Sequence, residues 1–172
     1  MATIVTQLET PFWTGERLVV LKLHTHGAFE QLALVAGVQG GCFCDNHGAI
    51  LGMLLAGTGD RQLYERIALA LTQCLAVLHT RSAIKEIELR VERKLLVARD
   101  LGNALLILVC SPDVNLSLLR MTLNVATSPI ESEPKLQQSL AQAAPSRAYT
   151  LDQEHLDASV RSLLRKTGQS PS

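Results

Sequence analysis

The stretch over residues 38–56, VQGGCFCDNHGAILGMLLA, constrains the fold of this chain more than any other. Two short apolar runs flank the polar tetrapeptide DNHG at 45–48. Asp and Asn side chains accept hydrogen bonds from nearby backbone N–H groups, and glycine adopts the positive φ that a tight connection requires. The stretch is therefore predicted to form a β-hairpin with strands over 40–44 and 49–55.

Helical periodicity flanks the hairpin on both sides. A short helix is predicted over 28–36, ending at Gly37, and a long amphipathic helix over 60–80, where apolar residues recur three and four positions apart. The earlier apolar run over 17–23 fits either a strand or a segment packed over the core, because periodicity cannot decide at this length.

Three strands and a helix are predicted next. Residues 86–91 (EIELRV) alternate strictly between polar and apolar, which is typical of a strand with one solvated face. A second strand follows over 95–98. The third, over 104–110, is nearly all apolar and is predicted to lie centrally, buried on both faces. Ser111-Pro112-Asp113 then predicts a helix start, and that helix is expected to end near Ala126.

The C-terminal part of the chain changes character. Residues 128–149 are dominated by Ser, Pro, Glu, Gln and Ala, which predicts a flexible linker. Residues 150–168 predict a separate amphipathic helix with the apolar stripe Leu156, Val160, Leu163 and Leu164. A lone helix of this length is marginal in water, so its stripe needs a surface. That surface can belong to the same core, a second subunit or another protein.

Composition excludes several classes of function. The formal net charge is zero, so the chain as a whole lacks a basic footprint for nucleic acid or a membrane surface. No run of about 18 apolar residues and no signal-peptide pattern occurs. The four cysteines lie inside apolar runs. We therefore expect a reduced, soluble, cytoplasmic protein with no nucleic-acid partner and no membrane insertion.

Chemistry-bearing residues are few. Cys42, Cys44 and His47 suggest a thiol pair or a metal site, but a metal site needs further ligands and no second cluster has suitable spacing. The cysteines are therefore predicted to be core residues. His24 and His26 are expected to be solvated beside a loop. No nucleophile-elbow or phosphate-loop motif occurs. No catalytic, cofactor-binding or metal-binding residue is predicted.

The order helix, hairpin, long helix, three strands, helix resembles the roadblock family, which includes dynein light chains and bacterial partners of small Ras-like GTPases. The matching segments are GVQGG at 37–41, DNHG at 45–48, GTGD at 57–60, DLGNALL at 100–106 and SPDVNL at 111–116. The resemblance covers residues 27–127 as a roadblock-like domain, with 1–26 as an N-terminal extension outside it.

The resemblance implies an α+β fold: a five-stranded antiparallel sheet packed by a long helix and terminal helices, a roadblock/profilin-like sandwich. It also implies a homodimer or pseudo-dimer in which edge strands pair into one continuous sheet. Family members bind small GTPases or act as scaffolds, and they carry no cofactor and no active site of their own.

The strand over 86–91 is the predicted dimer edge, because it is regular, free of proline and able to pair with another strand. The predicted interface residues are Ile87, Glu88, Leu89, Arg90 and Val91. Glu88 and Arg90 could face their symmetry mates, where opposite charges attract.

Partner contacts are expected elsewhere. The candidates are Arg61 and Arg66 on the long helix, and Leu156, Val160 and Leu163 on the C-terminal one. The leading hypothesis is a non-enzymatic dimeric module that binds and regulates a small Ras-like GTPase. The alternatives are a structural scaffold of the same fold without a GTPase partner, and a small thiol or metal enzyme that uses Cys42, Cys44 and His47.

Overall fold

The structure, a computed structural model, describes residues 2–5, 15–56 and 61–142. In chain order the described elements are β1 (Ala2–Val5), α1 (Glu16–Ala33), β2 (Val38–Asp45), β3 (Ile50–Ala56), α2 (Arg61–His79), β4 (Glu86–Val91), β5 (Lys94–Asp100), β6 (Ala104–Cys110), α3 (Leu116–Ser132) and α4 (Pro134–Gln142).

The strands form one antiparallel sheet in the order β1-β3-β2-β6-β5-β4. Strands β2 to β6 are the five predicted strands, and the predicted α+β class is confirmed. The sheet has one further strand, since β1 pairs with β3 and places Ala2 opposite Ala56. Strand β6 is interior, as its nearly continuous apolar sequence predicted.

Helices cover both faces of the sheet. Helix α2 packs on one face, where Tyr64, Ala68 and Leu71 meet Cys42 and Ile107. Helices α1, α3 and α4 cover the opposite face and enclose the larger core. Two-sided coverage explains why β6 is buried along almost its whole length.

The hairpin turn is built as its sequence predicted. The Asp45 carboxylate accepts hydrogen bonds from the backbone N–H groups of His47 and Ala49, both at 2.9 Å. Gly48 has φ 82°, which is the conformation that glycine supplies at no steric cost. The turn sets the pairing of Cys44 with Ile50. A bulge between Phe43 and Cys44 then shifts the register of the rest of the β2–β3 pair.

The N-terminal boundaries were predicted wrongly. Helix α1 begins at Glu16 and ends at Ala33, so the run over 17–23 is helical and the short helix over 28–36 is only its end. Leu21 is fully buried, so the second part of the supposed extension over 1–26 belongs to the core. Apolar packing at Leu21, Phe29 and Leu32 overrides the polar HTHG interruption.

His24 and His26 therefore lie on a helix and not beside a loop. The Nδ1 atom of His24 lies 2.8 Å from the carbonyl oxygen of Val20. The Nε2 atom of His26 lies 3.2 Å from a carboxylate oxygen of Glu30. Both contacts span four residues, which is the spacing of neighbours on a helix surface.

The C-terminal boundaries also differ. Helix α3 is capped by Asn115, whose side chain accepts from the Leu118 N–H at 3.0 Å, and not by Ser111. It continues through Pro129 to Ser132, and α4 follows at once. The linker predicted over 128–149 is therefore wrong up to residue 142.

Helix α4 is ordered because it packs. Leu136 and Leu140, four positions apart, are buried in the larger core. The Gln137 side-chain amide donates to the carbonyl oxygens of Leu101 at 2.9 Å and Ile130 at 3.0 Å. Residues 143–149 and the predicted helix over 150–168, with Leu156, Val160 and Leu163, lie outside the described residues. Among the described helices, none is both long and apolar enough to cross a membrane.

Candidate interaction surface at the sheet edge

Strand β4 lies at one edge of the sheet. It pairs with β5 alone, and no described residue pairs with its outer side. An edge strand presents unpaired N–H and C=O groups, which can accept a further strand. The structure thus places this strand at the sheet edge, where its sequence led us to expect it.

Four residues that lie opposite one another across the sheet show how far helix α2 covers its face. Gly40, Val109, Leu96 and Leu89 lie opposite one another on β2, β6, β5 and β4. The Tyr64 hydroxyl of α2 lies directly over Gly40, and Tyr64 is buried. Val109 and Leu96 are half-buried, and Leu89 is 39% exposed. Along this row the cover by α2 decreases from β2 to β4, so the α2 side of β4 is open at Leu89.

Strand β4 places its apolar side chains on this open face. Ile87 packs partly against the core under α2, so Leu89 and Val91, at alternate positions, point the same way. Val91 is 49% exposed. The predicted interface residues Ile87, Leu89 and Val91 thus share one face, with exposure rising along the strand.

Helix α2 extends the same apolar surface. Ile67 is half-buried against the same core cluster as Ile87 and Val109. Leu63, four residues earlier on the same side of the helix, is 50% exposed. We call this set the edge surface; it comprises Leu63, Ile67, Ile87, Leu89, Val91, Leu96 and Val109.

The other face of β4 is charged and held by α3. The Arg120 guanidinium donates from Nε to Glu86 at 3.2 Å and from Nη2 to Glu88. The hydrogen bond to Glu88, its Coulomb attraction and the contact with Glu86 together raise the pKa of Arg120 above its usual value. Glu88, predicted to face a symmetry mate, thus already has a partner in its own chain, whereas Arg90 is exposed.

Arg99 of β5 extends this ionic network toward α3. Its Nη1 donates to the Asn124 side-chain oxygen at 2.6 Å, and its guanidinium lies 3.6 Å from carboxylate oxygens of Glu86 and Glu131. Strand β4 is therefore tied to α3 through two arginines as well as to β5 through the backbone. Sequence reasoning did not find Arg120, although it is the one basic residue of α3.

The predicted partner-binding arginines do not form a cluster. Arg61 donates from Nε to Glu65 at 2.8 Å, and Arg66 is exposed. Five positions on a helix correspond to a rotation of about 140°, so the two side chains leave α2 on different sides. The structure does not bring them together at one site.

Cys42 and Cys44 are in surroundings that make their thiols unreactive. Cys42 and Cys44 are fully buried on the α2 face, while His47 is exposed at the turn. Burial raises the pKa of the Cys42 thiol to about 12 and that of Cys44 well above its usual value. Since the thiolate is the nucleophile and the metal ligand, this environment favours the core role that the sequence predicted. Within the described ranges, no group of three or more His, Cys, Asp or Glu side chains could hold a metal ion.

Comparisons with known proteins agree on the architecture. No protein-family model and no curated protein matches the sequence. A solved Roadblock/LC7 domain from Streptomyces avermitilis is similar with a TM-score of 0.52 and 8% identity, over 59% of this chain and 88% of that one. A structure described as MglB with tetrameric arrangement has a TM-score of 0.54 and 19% identity, over 76% and 95%.

The gliding protein MglB from Thermus thermophilus is similar over 80% of this chain and 97% of its own, with a TM-score of 0.52 and 18% identity. At such identities the likeness concerns the fold alone.

Proposed function

We propose that this chain, which has the roadblock fold, is a non-enzymatic dimeric interaction module that binds and regulates a small Ras-like GTPase. The observation that supports the proposal most is the open edge of β4 beside the apolar edge surface. A sheet that ends on an unpaired, regular strand invites completion by another polypeptide.

The proposed dimer joins β4 to β4 of a second copy across a two-fold axis. Antiparallel self-pairing satisfies the outer N–H and C=O groups of both strands at once. It brings Leu89 and Val91 of both copies out of water, and full burial of such a side chain contributes about 1.5–3 kcal/mol. Ile87 lies at the inner side of this interface, and Glu88 and Arg90 lie on its charged face.

Self-association has a precedent in the fold. One similar structure is described as a tetrameric arrangement of MglB. The partner class comes from the roadblock resemblance, which implies a Ras-like GTPase. Arg61 and Arg66 are the proposed polar contacts of α2, one on each of two different sides of the helix. Leu156, Val160 and Leu163 are proposed to contact a different surface.

The dimer is tested by Leu89→Lys. A lysine on the edge surface places like charges near each other across the two-fold axis, so we expect the mass from light scattering to fall from dimer to monomer at micromolar concentration. Leu118→Lys is the matched control, because Leu118 is 45% exposed on α3, on the other side of the sheet. A monomeric wild-type chain, or a Leu89→Lys dimer, contradicts the proposal.

The same proteins test the partner. We expect the wild-type chain to bind a Ras-like GTPase from the same source, with a preference for one nucleotide state, and Leu89→Lys to lose most of that affinity. Co-elution and single-turnover GTP hydrolysis measure binding and regulation. An intact dimer that binds neither the GDP-loaded nor the GTP-loaded form of these GTPases favours the scaffold alternative.

A further inference from the structure

The outer side of the layer formed by α1 and α3 carries a set of exposed apolar side chains, with the His26–Glu30 ion pair among those of α1. Six large apolar side chains there are between 45% and 86% exposed. We call them the outer face; they are Val19, Leu23 and Leu34 of α1 and its C-terminal end, and Leu118, Met121 and Val125 of α3. Exposed apolar side chains that are scattered singly need no explanation, but a set gathered on two neighbouring helices does.

Helix geometry places these residues together. Helix α1 turns Leu21, Thr25 and Phe29 to the sheet, so Val19 and Leu23 fall on its solvent side. Helix α3 buries Leu119 and Leu123 and leaves its outer residues at spacings of three and four. The two helices pack against each other, so their outer sides are adjacent.

Charge does not shield the α3 half of this face. The charged residues of α3 are Arg120 and Glu131, and both face the sheet edge, where they contact Glu86, Glu88 and Arg99. Its outer side therefore offers water only apolar and small neutral side chains. Such a surface is typical of a face that another helix covers.

We infer that residues 150–168 of the same chain cover the outer face as an additional helix. The described chain ends at Gln142, which lines a cleft with Glu16, Arg17 and Val20 at the start of α1. The continuation therefore leaves the described part beside the first turns of α1, near the end of the outer face that includes Val19.

Lengths match this assignment. Residues 143–149 can span at most about 25 Å, which is enough to reach the face from Gln142. A helix over 150–168 is about 28 Å long, and the 18 residues of α1 form a helix of about 27 Å. The stripe of Leu156, Val160, Leu163 and Leu164 is about 12 Å long and can therefore cover about half of the length from Val19 to Leu34. Docking also removes the instability of an isolated helix of this length.

The short connection favours the same chain over a second copy. A tether of this length gives an effective concentration in the millimolar range, far above the micromolar concentrations at which proteins usually meet. The outer face lies on the opposite side of the sheet from the edge surface, so its cover leaves the proposed dimer free to form. The inference does not rest on the proposed GTPase function.

Disulfide trapping tests the inference in the full chain. The test protein carries Met121→Cys, Val160→Cys and Cys74→Ser, because Cys74 is exposed while the other three native cysteines are buried. The control replaces Val160→Cys with Ala158→Cys, which lies about 200° around the helix from position 160. Under mild oxidation we expect the 121–160 disulfide to form at least about tenfold faster than the 121–158 disulfide.

Mixed isotopically labelled and unlabelled chains identify which chains are joined. An intrachain 121–160 bond supports the inference. An interchain bond instead assigns the outer face to a second copy, and equal rates for the two pairs show that the segment does not dock there; either result overturns it. Since a Cys at 121 or 160 does not touch β4, a failure here leaves the dimer test unaffected.

Discussion

Gly41 shows how closely the backbones approach at the centre of the sheet. A Cβ atom there would lie 2.6 Å from the Ile107 carbonyl oxygen and 2.8 Å from a methyl carbon of Leu108. The oxygen belongs to the backbone of β6 and cannot rotate away. Gly27 in α1 is the opposite case, because a Cβ atom there meets nothing within 4 Å.

We expect the two alanine substitutions to change stability in opposite directions. Gly41→Ala should lower the free energy of unfolding by about 1–3 kcal/mol, since the strands must separate locally. Gly27→Ala should raise it by about 0.5–1 kcal/mol, since alanine favours helix. Urea denaturation of both variants measures the difference. A neutral Gly41→Ala would show that β2 and β6 separate easily.

A contact between two residues was easier to predict from the sequence when the residues lie close together along the chain. The Asp45 turn was predictable, because its partners lie two and four residues away. The burial of Cys42 and Cys44 was predictable from their apolar context. Arg120 was not, because its carboxylates lie 32 and 34 residues earlier and only the fold brings them near.

At the scale of elements, α3 shows how packing sustains a helix through a proline. Pro129 lacks the N–H that would bond to the Val125 carbonyl, but both residues are exposed, so water can solvate that oxygen. Beyond the proline, Ile130 is buried in the larger core. This contact explains why the helix does not end near Ala126.

Pro129→Ala should therefore stabilise the protein, by about 1–3 kcal/mol, because it restores a backbone hydrogen bond and removes the ring. The matched control is Pro134→Ala. Pro134 is the first residue of α4, where proline is tolerated, so we expect little change. Thermal unfolding of the two variants compares them. If Pro129→Ala lowers the melting temperature, the helix geometry around residue 129 is different from that described.

The predicted boundaries of helices were wrong where tertiary contacts determine them. The hairpin, α2 and β4 were predictable because their patterns are regular. Helix α1 was not, since the polar residues at 24–26 and Gly27 hide a buried stripe. Helix α4 was not either, because its segment has the composition of a linker and is held by Leu136, Leu140 and Gln137.

At the scale of the whole molecule, the two sheet edges differ. Both β1 and β4 are edge strands whose outer sides pair with no described residue, but β1 has four residues and shields the outer side of β3, whereas β4 has six. The roadblock resemblance implied the five-stranded sheet, and the regular, proline-free sequence over 86–91 suggested the edge strand. Neither predicted β1, because a four-residue strand leaves no periodic signal.

Removal of residues 1–14 should therefore replace the four-residue edge strand β1 with the seven-residue edge strand β3. We expect the shortened chain to form species larger than a dimer as its concentration rises, because β3 then offers unpaired backbone groups. Light scattering across a concentration series measures this. In the shortened chain, Leu89→Lys should prevent pairing through β4, so that any remaining association occurs through β3. An unchanged mass would mean that β1 does not protect this edge.

Helix α3 places two consecutive residues on two different surfaces. Arg120 binds the carboxylates of β4, and its neighbour Met121 belongs to the outer face. A ligand that displaces α3 by binding at Met121 must also strain or break the ion pairs with β4. By thermodynamic reciprocity, two ligands that favour different positions of α3 alter each other's affinity, whereas a partner that leaves α3 in place does not affect the pairing of β4.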